Sequence, residues 1–294
     1  MMHSRVQMIA VTGATGNLGG LVIEALLERG VPPARIVATA RAPDRASHLA
    51  ERGVEVREAD YTKPDTLEGA FEGVDRLLLI SSSEVGQRAE QHRNVVDAAV
   101  EADVDLLAYT SMLRAEASPL MLAEEHEQTE AYLRDADLPF TLLRNGWYTE
   151  NYTEQLGQVL DQRAFVGSAG DGRISGAARA DYAAAAATVL VEEGHAGAVY
   201  ELGGDEAFTM EELAEEVTRQ SGTEVVYRDL PVEEYEEVLV EAGLSEGAAA
   251  VFADADRGIA HGHLYTESDD LRQLIGRPTT PLSEAVTDAL DSLE

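Results

Sequence analysis

Residues 6–29, VQMIAVTGATGNLGGLVIEALLER, contain the pattern from which the fold of this chain is predicted. The first part is apolar and β-branched, which predicts a strand over residues 6–12. The last part repeats apolar residues at helical spacing, which predicts a helix over residues 18–29. Three glycines with the spacing GxxGxxG join the two elements. A strand, a glycine turn and a helix in this order are typical of the opening unit of a dinucleotide-binding α/β sheet.

Each glycine of this turn has its own physical role. Gly13 allows a sharp turn off the strand, Gly16 lets a pyrophosphate approach the backbone, and Gly19 lets the helix pack closely on the strand. The helix N-terminus offers free N–H groups and a partial positive charge to the phosphates. The alternative is a structural turn in an α/β domain without a cofactor. We expect cofactor contacts along the turn, at Gly13, Ala14, Thr15, Gly16, Asn17 and Leu18.

The rest of the first half alternates predicted strands and helices. Strands are predicted at residues 36–40, 54–59, 76–80, 106–110 and 140–143, and helices at residues 45–52, 66–71, 87–102 and 124–135. This alternation predicts a Rossmann-type, doubly wound parallel sheet of the α/β class.

The second half is less regular. Residues 145–176 read as loops around one helix, residues 180–193 as an alanine-rich helix, and residues 198–202 as a strand that returns to the sheet. Acidic helices are predicted at residues 210–221 and 232–242, and a last helix at residues 282–293. We therefore expect two interleaved domains. Residues 1–144 with about 177–203 form an NADP-binding domain, and residues 145–176 with 204–294 form a smaller, partly helical substrate domain.

Arg41 ends the second predicted strand, and its charge bears on cofactor choice. An acid at this position would bind the ribose 2′-hydroxyl of NAD, whereas an arginine can pair with the 2′-phosphate of NADP. The alternative is an arginine that is merely exposed to solvent. The sequence therefore predicts that NADPH is preferred and that NADH binds more weakly.

Polar residues also follow two other predicted strands. Ser81, Ser82 and Ser83 come after residues 76–80 and are candidates for the ribose and nicotinamide side of a cofactor. The alternative is a polar loop without a ligand. The sequence RNGWYTENY, residues 144–152, follows the strand at 140–143. Its aromatic faces suit a flat ring, and its amide and phenol donors suit a carbonyl oxygen. The alternative there is a packed aromatic hinge.

Within this cluster, Tyr148 and Asn145 are the candidate catalytic donors, and Trp147 is a candidate stacking wall. The glycine-rich residues 167–176, which include Asp171 and Arg173, are a candidate lid. The catalytic pair Tyr-xxx-Lys of ordinary short-chain dehydrogenases is missing, because no tyrosine is followed by lysine four positions later. A GxSxG serine-hydrolase turn is also missing.

Composition limits the remaining function classes. The 294 residues include 55 Asp and Glu against 22 Lys and Arg, a formal net charge of −33, with Lys63 as the one lysine. Dispersed acid with almost no lysine predicts a halophilic source, and the alternative is an ordinary acidic protein. DNA binding through a basic patch is disfavoured. The absence of cysteine excludes disulfides and thiolate sites. His261 and His263 have too few partners nearby for a metal site, so no metal is expected.

The hydrophobic pattern and the first residues bear on the cellular compartment of the protein. The longest mostly apolar stretch, residues 182–191, is too short to span a bilayer. The first residues run into a predicted strand rather than a secretory signal. The sequence therefore predicts a cytoplasmic protein without a membrane span.

Seven motifs carry a specific resemblance. The chain resembles the quinone-reducing branch of the NmrA-like, atypical short-chain dehydrogenases through TGATGNLG (12–19), LLLISSSEVGQR (77–88), AYTSML (108–113), RNGWYTENY (144–152), GSAGDGRISGAARADYAAAAA (167–187), VYELGGD (199–205) and IGRPTTPL (275–282). The resemblance implies two-electron reduction of quinones to hydroquinones by direct hydride transfer from NADPH, without a flavin. It implies cofactor contacts at residues 13–18, Arg41 and residues 81–83. It also implies contacts at Asn145, Gly146, Trp147, Tyr148, Thr149, Glu150 and, through backbone, Gly176.

Two alternatives of other classes stay open. One is an NADP(H)-binding redox sensor with little turnover, and the other is a reductase or epimerase of a different small molecule in the same cleft. The sequence does not identify the physiological quinone, and it leaves open whether the chain forms a homodimer.

Overall fold

The computed structural model describes residues 7–293, which divide into two compact units. The first unit contains residues 7–112, 125–145 and 179–200, and the second contains residues 113–124, 146–178 and 201–293. Residues 113–124 therefore lie in the second unit, whereas the predicted division placed them in the first domain.

The described strands and helices have the following bounds. The strands are β1 (Ile9–Val11), β2 (Ile36–Ala40), β3 (Glu55–Glu58), β4 (Arg76–Leu79), β5 (Leu106–Met112), β6 (Phe140–Asn145), β7 (Ala164–Gly167), β8 (Val199–Leu202) and β9 (Val226–Asp229). The α-helices are α1 (Asn17–Glu28), α2 (Ser47–Ala50), α3 (Pro64–Phe71), α4 (Arg88–Glu101), α5 (Met121–Asp135), α6 (Glu150–Thr153), α7 (Leu156–Gln162), α8 (Arg179–Val191), α9 (Met210–Ser221), α10 (Val232–Glu241), α11 (Glu246–Ala260), α12 (Asp270–Ile275) and α13 (Leu282–Asp291).

A seven-stranded sheet organises the first unit. Its strand order is β3-β2-β1-β4-β5-β6-β8, and the pairs from β3 through β6 are parallel. The chain moves outward from β1 to β3 and then crosses back to continue from β4 to β6, so the strand order reverses between β1 and β4. This topology confirms the predicted Rossmann-type α/β fold. Ligands of such sheets bind beyond the carboxyl ends of the strands at this reversal.

Apolar side chains cover both faces of the sheet. Leu77 of β4 and Leu107 of β5 pack with Phe71 of α3 and Val95 of α4 in one buried cluster. Successive strand residues point to opposite faces, so the fully buried Leu78 belongs to the other side of the sheet. The helices α1 and α8 pack together there, and the alanine-rich sequence of α8 permits a close approach. Burial on both faces accounts for the continuous apolar runs in these strands.

The second unit is built from short elements. β7 and β9 form a two-stranded parallel sheet in which Ala164 lies opposite Val226. The helix α9 begins with a capping box, in which the Thr209 side chain accepts from the Glu212 N–H and the Glu212 side chain accepts from the Thr209 N–H. The helices α10 and α11 pack against each other.

Several observed helices and strands differ from the predicted ones, mainly in the second half of the chain. Residues 145–176 contain two helices, α6 and α7, and the strand β7, rather than loops around one helix. The strand β9 and the 15-residue helix α11 were not predicted. The predicted first strand, residues 6–12, is observed as Ile9–Val11, and Val6 lies outside the described residues. Among the helices of residues 7–293, no stretch has the length and hydrophobicity needed to cross a membrane.

Candidate functional site

A cleft of about 450 Å³ lies in the first unit beside the reversal of strand order. The residues that follow β1, β2, β3 and β4 line it. Nine of the predicted cofactor residues are among them, namely Gly13, Thr15, Gly16, Asn17, Leu18, Arg41, Ser81, Ser82 and Ser83. The structure thus brings the glycine turn, the arginine and the serines to one cleft, although they are far apart in sequence.

The glycine turn has the geometry that requires glycine. Gly13 has a φ of +59°, a left-handed conformation that side chains disfavour. A Cβ atom on Gly19 would lie 2.3 Å from the Gly13 carbonyl oxygen, so α1 packs against the turn without space for a methyl group. Gly16 is the N-cap of α1 and supplies no side-chain cap. The first-turn N–H groups therefore lack a capping side chain beside a cleft, which suits an anionic group.

Ala14 has a different role from its neighbours in the turn. Its side chain is buried, and its N–H donates to the Thr39 carbonyl oxygen of β2 at 3.1 Å. Unlike the other predicted turn residues, it does not line the cleft. Ala14 ties the turn to the neighbouring strand and so fixes the position of the residues that do line it.

Thr12 joins the carboxyl ends of the two central strands. Its hydroxyl donates to the Leu78 carbonyl oxygen at 3.0 Å and accepts from the Ile80 N–H at 2.9 Å. The Tyr61 hydroxyl, at the cleft wall, donates to the Ile80 carbonyl oxygen at 3.0 Å. These bonds join the ends of β1, β3 and β4 beside the cleft.

The serine loop is fixed from behind through its backbone. The Ser82 carbonyl oxygen accepts from Arg88 Nε at 2.7 Å, and the Ser82 N–H donates to His92 Nε2 at 2.9 Å. The Thr129 hydroxyl donates to the Glu125 carbonyl oxygen, so it accepts from His92 Nδ1–H at 2.9 Å, which assigns the tautomer. Burial and the nearby Arg88 charge lower the pKa of His92 to about 3. His92 is therefore neutral, and it fixes the Ser82 backbone together with Arg88.

Charged groups in the cleft were partly missed at the sequence level. Arg41 donates from Nη1 to Glu84 Oε1 at 2.8 Å, and both side chains line the cleft. Arg45, four residues after Arg41, is exposed in the same cleft and makes no ion pair within residues 7–293. Asp60, which follows β3, is also there. The rule that ligands sit at strand ends would have indicated Asp60, but nothing local indicates that Glu84 meets Arg41.

The start of the 144–152 cluster lies at the end of β6. Arg144 and Glu130 form a buried ion pair at 2.6 Å, so this arginine serves the interior of the unit. Asn145 lies opposite Met112 in the sheet and is 6% exposed. Within the described residues, its Oδ1 atom is buried without a hydrogen bond. An unsatisfied amide oxygen at a strand end is a candidate ligand-binding atom.

The continuation of this cluster lies in the second unit. The Ala177 N–H donates to the Trp147 carbonyl oxygen at 3.0 Å, and the Thr149 N–H donates to the Ala177 carbonyl oxygen at 3.0 Å. Thr149 and Gly176 line a cavity of about 160 Å³ in this unit. A Cβ atom on Gly176 would lie 2.9 Å from the Phe208 ring, which explains the glycine. The remaining predicted residues of this stretch are Gly146, whose N–H donates to the Leu202 carbonyl oxygen at 2.8 Å, Tyr148, which bridges to Ala177, and Glu150, the first residue of α6.

The glycine-rich loop is anchored by three successive N–H groups. The Ser168 N–H donates to Asp256 Oδ2 at 2.8 Å, and the following two N–H groups donate to the Tyr227 hydroxyl at 2.8 Å and to Asp229 Oδ1 at 2.9 Å. Burial raises the pKa of Asp256 to about 6. The start of this loop is therefore bound to β9 and α11, and the lid over residues 167–176 stays a prediction.

The cleft of the first unit has the donor set for a phosphorylated dinucleotide. It combines uncapped helix N–H groups, two arginines and hydroxyl groups at the ends of adjacent parallel strands. Within residues 7–293, no three His, Asp or Glu side chains are grouped so that they could hold a metal ion.

Comparisons with known proteins agree with this geometry. A family model described as NAD(P)H-binding matches residues 13–193. Quinone oxidoreductase 2 of Escherichia coli (strain K12) is 52% identical over 280 residues, which cover 95% of this chain and 98% of that protein.

Two solved structures are similar over nearly their whole length. The NADPH-dependent quinone oxidoreductase of Escherichia coli in complex with NADPH has a TM-score of 0.93 and 52% identity, covering 96% of this chain and 100% of that one. The Citrobacter sp. triphenylmethane reductase in complex with NADP(H) has a TM-score of 0.91 and 43% identity, covering 96% and 99%. The family match and these full-length similarities agree, and the chain belongs to the NAD(P)H-binding family.

Proposed function

We propose that this protein catalyses the NADPH-dependent two-electron reduction of quinones to hydroquinones without a flavin. The observation that carries the proposal is the cleft at the reversal of strand order, with Arg41 at its edge, in a chain that is 52% identical to a quinone oxidoreductase. The relative with 43% identity is named for a triphenylmethane substrate, so the higher identity favours a quinone.

The residues of the cleft suit NADPH in separate roles. The turn Gly13–Gly19 receives the pyrophosphate at the N-terminus of α1. Arg41 and Arg45 are the cations for the 2′-phosphate, which favours NADPH over NADH. Ser81, Ser82 and Ser83 provide hydroxyl groups for the ribose and nicotinamide side. When bound, the reduced nicotinamide supplies the hydride.

For the quinone, we propose that the Tyr148 hydroxyl donates to a carbonyl oxygen, and the Asn145 side-chain amide is the second candidate donor. Negative charge develops on that oxygen during reduction, and oriented donors stabilise it. The loss of one such donor reduces kcat by about 10²-fold or more when the donor is fully engaged. In a Tyr148→Phe variant, we expect kcat for a benzoquinone to fall while the Kd for NADPH is unchanged. An unchanged kcat removes Tyr148 from this role.

The test of the proposed function is NADPH consumption against a panel of benzoquinones and naphthoquinones, measured at low and at molar KCl. We expect consumption to require the quinone and to yield one hydroquinone for each NADPH. A protein that binds NADPH but does not consume it with any quinone in the panel is a sensor, and that result contradicts the proposal. Consumption with a carbonyl compound or dye but with no quinone also contradicts it.

A further inference from the structure

Glu84 is the acidic group that faces the cation proposed to bind the 2′-phosphate. Its Oε1 atom accepts from Arg41 Nη1 at 2.8 Å, and the side chains are 35% and 70% exposed. The two residues belong to different strand ends, since Arg41 follows β2 and Glu84 follows the serines after β4. The ion pair therefore crosses the cleft rather than lying along one wall.

Other groups hold the Glu84 carboxylate in place. Its Oε2 atom accepts from Gln91 Nε2 at 2.8 Å, and its own N–H donates to the Ser82 hydroxyl at 3.1 Å. Gln91 is 4% exposed, and within the described residues its Oε1 atom has no hydrogen bond. The buried Gln91 therefore binds the Glu84 carboxylate through the oxygen atom that Arg41 does not contact.

We propose that Glu84 determines how strongly the protein prefers NADPH to NADH, by competing with the 2′-phosphate for Arg41. The inference rests on the proposed function, since it needs a dinucleotide in this cleft. Glu84 Oε1 occupies Nη1 of the Arg41 guanidinium, so a 2′-phosphate that binds this atom must displace the carboxylate. The 2′-hydroxyl of NADH requires no such displacement. Glu84 therefore weakens the binding of NADPH and leaves that of NADH nearly unchanged.

The size of the effect follows from the exposure of the pair. An exposed ion pair between arginine and a carboxylate contributes little, so its loss changes an affinity by up to about fivefold. Salt screens this competition, because the Debye length falls from about 10 Å at 0.1 M to about 3 Å at 1 M. The difference between wild type and a Glu84 variant is therefore largest at low salt.

The experiment compares the Kd for NADPH and for NADH in wild type and in Glu84→Gln, measured by nicotinamide fluorescence. The matched control is Glu24→Gln, which also removes one carboxylate paired with an exposed arginine, Arg52, but outside the cleft. We expect Glu84→Gln to lower the Kd for NADPH about threefold to fivefold. We expect the Kd for NADH to change less than about twofold, and we expect Glu24→Gln to leave both Kd values unchanged. The melting temperature of each variant verifies that it is folded.

A second background separates competition from simple repulsion. In an Arg41→Ala protein there is no guanidinium to compete for, so we expect Glu84→Gln to have no further effect on NADPH. The proposal is overturned if Glu84→Gln increases the affinity for NADPH equally with and without Arg41. It is also overturned if the affinities for NADPH and NADH increase equally, or if neither increases. If wild type binds neither dinucleotide, both the proposed function and this inference fail. If wild type binds NADPH and Glu84→Gln binds it equally, the inference alone fails.

Discussion

At the scale of single residues, two positions carry the cofactor hypothesis. Gly19 leaves no space for a side chain between α1 and the turn, and Arg41 supplies a cation in a chain with a net charge of −33. Both were found from the sequence because their roles depend on local spacing along the chain. The partner of Arg41 was not, because Glu84 lies 43 positions away and a long-range contact has no local signal.

Replacing Gly19 tests the geometry of the turn. A Cβ atom in Gly19→Ala would lie 2.3 Å from the Gly13 carbonyl oxygen and 2.9 Å from the Ala14 Cα atom. We expect the turn to shift, with a loss of about 1–3 kcal/mol in unfolding free energy and a loss of NADPH binding. Urea unfolding and calorimetry measure the two effects.

The neighbouring glycine is the matched control. A Cβ atom on Gly20 would lie 3.8 Å from the Ala14 carbonyl oxygen, an ordinary contact. Gly20→Ala should therefore be neutral or stabilising by up to about 1 kcal/mol, because alanine favours the helix. Equal effects of the two substitutions would show that the close packing at Gly19 has no special role.

Replacing Arg41 tests the assignment of the 2′-phosphate. A charged hydrogen bond contributes about 1.5–3 kcal/mol, so Arg41→Asp should raise the KM for NADPH by about tenfold or more. The KM for NADH should change far less, because NADH has no phosphate at that position. Steady-state kinetics with both cofactors measures the ratio, and an equal change in the two KM values refutes the assignment.

At the scale of elements, prediction succeeded where the pattern was strong and local. The strands β2, β4, β5 and β6 are buried and apolar, and each was predicted to within a few residues. β9 was missed because its four residues, VYRD, are mostly exposed and show no apolar alternation. α11 was missed because its buried positions are alanine, glycine and aspartate apart from Ile259, which gives a weak apolar pattern at helical spacing.

The buried ion pair between α5 and β6 was also beyond sequence reasoning, and it makes a stability prediction. Glu130 and Arg144 are almost fully buried and lie 2.6 Å apart. Glu130→Gln would leave the Arg144 charge without its main partner, so we expect a loss of about 3–5 kcal/mol. The control is Glu127→Gln on the exposed side of the same helix, with a change within about 0.5 kcal/mol. Urea unfolding that gives equal values for the two variants contradicts this account of the pair.

Asp256 on α11 makes the unfolding free energy depend on pH. Burial raises its pKa from 3.8 to about 6, so the folded state binds the proton more tightly than the unfolded state. Asp256 therefore stabilises the folded state most below about pH 4. The unfolding free energy falls by about 3 kcal/mol at most as the pH rises through 6. We expect the unfolding free energy of Asp256→Asn not to fall in this way.

The readout for Asp256 is the difference between wild type and variant in urea unfolding across that range. The control is Asp161→Asn, which removes an exposed carboxyl group rather than a buried one. If the unfolding free energies of wild type and Asp256→Asn change in parallel between pH 4 and 6, the pKa of Asp256 is not raised.

At the scale of the whole molecule, the family expected from seven motifs is confirmed by 52% identity over nearly the full length. The predicted Rossmann-type parallel sheet is confirmed as well. Alternating strands and helices permit few topologies, which made this prediction possible. The extent of the second unit was harder to predict. Residues 113–124 belong to the second unit, although the residues on either side of them in sequence belong to the first. No change in composition marks where the chain passes from one unit to the other.

The net charge of −33 makes a prediction about salt. Repulsion among dispersed carboxylates destabilises the folded state, and about 1 M salt screens it within about 3 Å. We expect the melting temperature to rise steadily between low and molar KCl. Equal stability at both concentrations refutes the halophilic interpretation.

The decisive experiment is a calorimetric titration of NADPH into the wild-type protein and into Gly19→Ala, both in molar KCl. We predict a saturable heat for wild type and a large loss of affinity for the variant, because the turn at α1 receives the pyrophosphate. A wild-type titration without a heat of binding contradicts the proposal that this cleft holds NADPH. So does an equal affinity in the two proteins.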